Sequence, residues 1–202
     1  MIKLGVTGNI GSGKTTVTKL FDIEKTFIFN ADKEAKKHLK KHSVLQKKII
    51  NIFGNEIVTG ADLDFQKLAN VAFKNKKNQE ILNGIIWPEV SLLIEHSLRA
   101  AEKENLKYFV VDAALLFEAN FNHFFDYIIL VTADEKIRLD RALKRKTIDL
   151  SQIKKRMLLQ LSDKQKINTS DFVIYNNKNK NDLKKEFQII LKKIISDIFF
   201  FY

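Results

Sequence analysis

Eight consecutive residues, Gly8-Asn9-Ile10-Gly11-Ser12-Gly13-Lys14-Thr15, match the phosphate-loop pattern GxxxxGK[ST] at every fixed position. The chemistry of that spacing is anion capture. Gly11 and Gly13 let the backbone turn tightly, so that successive N–H groups around Ser12 can face a phosphate. A helix beginning at the loop adds roughly half a positive charge from its aligned peptide dipoles. In this pattern the Lys14 ammonium reaches the β- and γ-phosphates, and the Thr15 hydroxyl ligates Mg²⁺. The expected cofactors are ATP and Mg²⁺, and the alternative is a glycine-rich turn with a chance lysine.

Flanking elements separate those two readings, because the motif needs a strand before it and a helix after it. The run Ile2-Lys3-Leu4-Gly5-Val6-Thr7 reads as a buried strand, and Thr16-Val17-Thr18-Lys19-Leu20-Phe21 as the first turns of a helix. Four more apolar runs of strand type follow: Phe27–Phe29, Tyr108–Val111, Tyr127–Val131 and Phe172–Tyr175. Most alternate with segments of helical period. The expected class is therefore α/β, a three-layer α/β/α P-loop NTPase fold with a five-stranded parallel sheet. Ligands of such sheets sit at the carboxyl ends of the strands. Asp32, Asp112 and Asn176 all fall there, each just after a strand-like run.

Residues 34–105 carry only helical signals, punctuated by Gly54, Gly60 and Pro88. Helices are expected at 44–53, 63–73 and 90–101. The chain then divides into a core (about 1–33 and 106–202), a helical acceptor-binding insertion (about 34–105) and a helical lid (about 135–165), in one domain. A last amphipathic helix is expected over 183–199, its Phe-rich end covering the sheet.

With 45% hydrophobic and 29% charged residues, the 202-residue composition is that of a globular protein. No apolar run is long enough to span a bilayer, and the first strand runs directly into the loop without a leader-like stretch. The absence of cysteine removes disulfides, thiolate nucleophiles and cysteine-ligated zinc, and is compatible with a reducing cytoplasm. A net charge of +11 invites a nucleic-acid reading, but the basic residues are mostly lysines scattered along helices. A field that attracts anionic small molecules is the simpler consequence. The expectation is a cytoplasmic monomer with no nucleic-acid or membrane partner. His38, His42, His96 and His123 read as solvated or locally bonded rather than as metal ligands.

The candidate side chains each carry two readings. Asp32 is either a base for an acceptor hydroxyl or a cap for the helix beginning at Lys33. Asp112 holds a magnesium-bound water, orients the acceptor, or simply ends a strand. Arg141 and Arg145 are four apart, so one helical face could carry both to a transferring phosphate; the plain alternative is a solvated basic face. Asn176 could read an adenine edge or make a turn with Asn177. The phenylalanines at 117, 121, 124 and 125 suit a core, while Leu115, Leu116 and Phe117 could line an acceptor cleft.

Several segments in order resemble the dephospho-CoA kinase family. They are the loop with its lead-in from Leu4 to Val17, Asn30-Ala31-Asp32, and Leu82-Asn83 through Trp87-Pro88. Val111-Asp112-Ala113-Ala114-Leu115-Leu116-Phe117-Glu118 resembles that family's DVPLLFE segment. Arg141, Arg145, Arg156 and Gln160 resemble its lid pattern, and Asp171 to Asn176 its closing strand. The resemblance implies transfer of the ATP γ-phosphoryl group to the ribose 3′-hydroxyl of dephospho-CoA, the last step of coenzyme A synthesis. It implies Asp32, Lys14 and Arg141 as catalytic residues, and Gly11, Ser12, Gly13, Lys14, Thr15, Thr16, Arg145 and Asn176 as nucleotide-binding. Acceptor-binding roles fall to Thr7, Asp32, Asp112, Leu115, Leu116 and Phe117, and metal binding to Thr15.

Three positions depart from the family pattern: Trp87 stands for a histidine, Ala114 for a proline, and Phe65 for an arginine. Lys146-Thr147 stands where an acidic-glycine step usually follows the second lid arginine. Rival readings keep the fold with a nucleoside, a nucleotide or another small alcohol as acceptor, or make the chain a non-enzymatic basic binding protein that uses ATP as a structural ligand or switch.

Overall fold

The computed structural model describes residues 1–200, with side chains through residue 197. The Phe-rich end expected to cover the sheet lies outside the described side chains. Five strands form a wholly parallel sheet: β1 (Ile2–Thr7), β2 (Thr26–Asn30), β5 (Tyr108–Asp112), β6 (Tyr127–Thr132) and β7 (Phe172–Tyr175), in the order β2-β5-β1-β6-β7. Each expected strand is present. Two further strands, β3 (Val58–Thr59) and β4 (Asp62–Leu63), form a separate antiparallel hairpin. The sequence reading missed them because two-residue strands leave no periodicity to detect.

Alternation along the strands sorts side chains into two layers. Leu4, Val6, Tyr108, Val110, Ile129 and Val131 face α1 (Lys14–Thr18) and α9 (Lys180–Phe200), packing on Val17, Phe21, Phe187 and Ile194. Phe109, Val111 and Ile128 face the opposite way, toward Val90 and Ile94 of α5 (Lys76–Lys103). These two cores make the sheet the middle of three layers. A third cluster belongs to the insertion. There Leu39 of α2 (Ala31–Lys41), Leu45 and Ile49 of α3 (Ser43–Phe53), Leu68 of α4 (Phe65–Ala72) and Ile85 of α5 pack around Ile57.

The expected helix at 90–101 is only half of α5, which runs unbroken for 28 residues through Pro88. Proline lacks the N–H that would bond the carbonyl four residues earlier, and its ring presses on that carbonyl. The residue four earlier is Gly84, which is exposed with open space around its Cα. Backbone there can yield without a side-chain clash, so the helix continues. Helices α6 (Glu135–Lys144), α7 (Leu150–Leu158) and α8 (Asp163–Thr169) lie between β6 and β7. Lys146, at the α6–α7 turn, has φ 52°, the left-handed conformation that glycine adopts at little cost. In the departing step, Lys146 at the acidic position itself takes the left-handed turn, while Thr147 stands at the glycine position. Among the described residues, no helix is long and apolar enough to cross a membrane.

Leu116, expected at an acceptor cleft, is instead fully buried beneath the sheet. Its Cδ1 lies 2.7 Å from where a Cβ on Gly5 would stand, so β1 needs glycine there to receive it. Phe117 is half-buried against the same cluster. Leu116→Ala should cost about 2–5 kcal/mol of stability through the cavity it leaves. Urea denaturation should show this as a lower midpoint, with the acceptor KM unchanged; a raised KM at unchanged stability would return Leu116 to the cleft.

Candidate active site

The site forms where strand register brings three carboxyl ends together. Asp112, the last residue of β5, pairs with Val6 on one side and Asn30 on the other. It is 1% exposed, and a buried carboxylate needs partners. Its Oδ2 accepts from Thr15 Oγ1 (3.0 Å), Thr18 Oγ1 (3.4 Å) and Asn30 Nδ2 (3.1 Å). Its Oδ1 pairs with the Lys14 ammonium. Asp112 therefore braces α1, β2 and the phosphate loop from behind and does not line the cleft. The expectation that it contacts the acceptor is corrected: the carboxylate is sealed beneath the cleft floor and taken up by Lys14, Thr15, Thr18 and Asn30.

The loop itself is held in shape by other side chains. Gly13 has φ 97°, and a Cβ there would stand 2.2 Å from Asn176 Nδ2. That amide donates to Ser12 O at 2.8 Å, while Asn176 O accepts from Arg141 Nη1 at 2.9 Å. Asn176 and Arg141 thus stitch the end of β7 and α6 to the loop. One N–H of Asn176 Nδ2 is committed to the loop backbone, which leaves the adenine-edge reading the second N–H and Oδ1. On the other flank, Ile10 N–H donates to Gln160 Oε1 (3.0 Å), and Asn9 Nδ2 donates to Leu161 O (3.0 Å) and Asp163 Oδ1 (3.2 Å). Asp163 is in turn paired with buried Arg138 at 2.7 Å. Behind it, fully buried Lys166 pairs with Glu118 at 2.9 Å and donates to Ala114 O at 3.0 Å.

In front of the loop lies a cleft of about 830 Å³, bounded by residues 8–15, Asp32, Leu115, Arg145, Arg156 and faces of α4 and α5. Asp32 does not cap α2. Asn30 does so, accepting from Lys33 N at 2.9 Å, which leaves the exposed Asp32 carboxylate free to face the cleft. Arg156, half-buried over the ring of Phe73 at 4.4 Å, keeps a buried Nε without a partner among the described residues. Burial works against its charge, and Asp32 opposes that. Gly11, Ser12, Gly13, Lys14, Thr15, Asp32, Leu115 and Arg145 line the cleft as expected. Besides Asp112, Leu116 and Phe117, four further expected residues do not line it. Thr7 is buried with its Oγ1 donating to Ala114 O (3.4 Å), and Thr16 is exposed outside the opening. Arg141 and Asn176 form the stitch described above. Arg156 and Gln160, which the sequence offers only within the lid pattern, also line the cleft; their four-residue spacing is the signal that sets them on one helical face.

The sequence model described as Dephospho-CoA kinase matches residues 2–182. A dephospho-CoA kinase of Fusobacterium nucleatum subsp. nucleatum is 40% identical over 185 residues, spanning 91% of this chain and 93% of that protein. The chain belongs to the dephospho-CoA kinase family. The solved dephospho-CoA kinase of Campylobacter jejuni aligns with a TM-score of 0.65 at 25% identity, covering 95% of this chain and 96% of its own. The crystal structure of TT1252 from Thermus thermophilus aligns with a TM-score of 0.76 at 25% identity, covering 97% of each chain.

The positions that depart from the family pattern have definite surroundings. Phe65 lines the cleft with the ammonium groups of Lys36 and Lys40 over its ring at 5.7 and 5.6 Å. Trp87 packs partly buried on the sheet's second core, and Ala114 supplies the carbonyl that receives both Thr7 and Lys166. Away from the cleft, His38, His42 and Glu89 offer ligand-type atoms within 4.8 Å of one another. His42 Nδ1 accepts from Leu45 N (3.2 Å) to cap α3, which puts the neutral ring's proton on Nε2, and His38 bonds Glu89 at 3.0 Å.

Burial pushes the Lys14 ammonium down from 10.5 to about 8; Asp32 opposes the shift, and Arg145 and Lys166 reinforce it. That charge declines in the free enzyme as pH rises through about 8, with the paired Asp112 carboxylate acting to hold it. In the free enzyme, kcat/KM for ATP should decline as pH rises through about 8. Lys14→Arg, charged throughout, should lose that alkaline limb, and an unchanged profile would separate Lys14 from the nucleotide. Lys166→Met should cost about 3–5 kcal/mol by leaving Glu118 buried without its cation. Chemical denaturation measures this, with partial recovery expected in the Lys166→Met/Glu118→Gln double variant.

Proposed function

We propose that this cleft transfers the γ-phosphoryl group of ATP to the ribose 3′-hydroxyl of dephospho-CoA, giving coenzyme A and ADP. The observation that carries the reading is the pairing of a free carboxylate, Asp32, with the phosphate loop across one cleft. Phosphoryl transfer asks a protein for positioning and charge neutralisation rather than covalent chemistry. The loop amides and Lys14 hold the β- and γ-phosphates. Asp32 orients the acceptor hydroxyl and takes its proton as the bond from oxygen to the γ-phosphorus forms. The bond from that phosphorus to the β–γ bridging oxygen breaks, and its electrons leave with ADP. Arg145 and Arg156, both on the cleft wall, offset the charge spread over the transferring oxygens.

The donors around Thr15 suit Mg²⁺. The Thr15 hydroxyl and the Asp112 carboxylate are hard oxygen groups 3.0 Å apart at the loop's end. Thr15 would hold the ion, with Asp112 behind it. When bound, it neutralises charge on the β- and γ-phosphate oxygens.

Release of ADP, followed with and without dephospho-CoA, tests the reading. Strong stimulation by dephospho-CoA is expected, and equal stimulation by unrelated alcohols would overturn the choice of acceptor. Asp32→Asn should lower kcat by about 10²–10⁴-fold, the range for a positioned base, while ATP binding measured by calorimetry stays close to wild type.

A further inference from the structure

Two histidines and a glutamate lie together outside the cleft and have no part in the transfer. His38, in the last turn of α2, and His42, at its junction with α3, are four apart, so one helical turn sets both rings on one side, 5.1 Å between centroids. Glu89 of α5 reaches the same place from 51 positions further along the chain, its Oε2 3.0 Å from His38 Nε2. A ligand-type atom of each residue lies within 4.8 Å of those of the other two, and all three residues are half-buried. Neither histidine reads as a metal ligand in the sequence, because the carboxylate that completes the set comes from a distant helix.

The donor set is one that zinc accepts. Two neutral imidazoles at i and i+4 with one carboxylate from elsewhere give three protein ligands and leave a fourth tetrahedral position for water. With metal–ligand bonds of about 2.0–2.2 Å, the ligand atoms of a tetrahedron stand roughly 3.3 Å apart. The His38–Glu89 contact is already near that spacing, and half-buried side chains can rotate through the remaining distance. Mg²⁺ fits poorly, since it asks for oxygen ligands in a near-ideal octahedron. Imidazole nitrogens select a late first-row cation instead.

We propose that His38, His42 and Glu89 form a zinc site that pins α2 to α5. One consequence separates it from a chance cluster. His42 Nδ1 accepts from Leu45 N at 3.2 Å and so caps α3. A cation on Nδ1 replaces that bond directly, and a cation on Nε2 requires the ring proton on Nδ1, which can then no longer accept. Either way the Leu45 N–H gives up its acceptor, so zinc and the α3 cap compete. His38 binds through Nε2, its ring proton moving to Nδ1 as the metal takes the place of the direct bond to Glu89. Because α2 carries Asp32 in its first turn, and Glu89 directly follows Pro88, bound zinc ties the helix of the proposed base to the long helix of the insertion.

Calorimetry of the full chain with Zn²⁺ alone should show one ion bound per chain, and Co²⁺ in its place should give visible bands stronger than those of the aqua ion. Three variants keep the local hydrogen bonding while removing a ligand. His38→Gln still donates to Glu89, His42→Ser still caps α3, and Glu89→Gln still accepts from His38. Each should weaken zinc by at least roughly 10-fold, the lower end of what disturbing even a metal's outer shell costs. Zinc at a hundredfold its Kd should raise the wild-type Tm by roughly 5–10 °C, and the same concentration should move the variants far less. Hydrogen exchange at the Leu45 amide should quicken in the zinc-loaded wild type. Absence of binding below millimolar zinc, or equal binding by all three variants, overturns the site. Full binding by His42→Ser alone removes His42 and with it the three-ligand arrangement. Unchanged Leu45 exchange in the loaded protein overturns the competition with the cap.

Discussion

The site is organised around one buried carboxylate. Asp112 sits at the end of a sheet strand with almost no access to water, where an unpaired charge would be untenable. Its two oxygens gather the loop lysine, two threonines of the following helix and the asparagine that ends the neighbouring strand. The arrangement couples three requirements: strand register, the direction of α1 and the position of Lys14. A shift in any one would leave a charge or a donor unsatisfied in a low-dielectric setting. That is why the phosphate loop, made of residues with little side-chain bulk, has a defined shape. Its shape comes from polar groups behind it.

A second set of bonds works from the side. Asn9 and Ile10, which have no fixed identity in the loop pattern, are held by Gln160, Leu161 and Asp163. Asp163 is fixed by Arg138, and the neighbouring Lys166–Glu118 pair is buried with it. Such pairs contribute little net stability relative to apolar substitutes, but breaking one is costly. Their effect here is to specify where the segment following α7 meets the loop. Arg156, just upstream in the last turn of α7, consequently faces the cleft from a fixed base.

Much of this was legible from the residues. The loop motif carried its own chemistry, and five apolar runs at the right intervals gave the parallel sheet with its ligand-bearing edge. Asp32 was ambiguous between base and cap until Asn30 was seen to take the cap. Leu116 and Leu115 are adjacent and chemically alike, and only the packing of Leu116 over Gly5 separates core from cleft. Asp112 and Asn176 fall at the site in the sequence reading, yet their partners lie 35 to 164 positions away in sequence, beyond the reach of local pattern. The small hairpin was too short to register. Pro88 suggested a boundary because proline ordinarily ends a helix, and the compensating freedom of Gly84 is a relation between two positions rather than a property of either.

That relation governs how the insertion can move. A 28-residue helix is about 42 Å long at 1.5 Å per residue, and this one belongs to two bodies at once. Its C-terminal half is embedded beside the sheet through Val90 and Ile94, while its N-terminal half carries Ile85 and Leu82 into the insertion. A continuous rod cannot let the two bodies slide independently. Curvature at the missing rung between Gly84 and Pro88 is the degree of freedom that the rod retains. The gap between the insertion and the sheet therefore depends on the shape of a single spine, with Pro88 where its two halves meet.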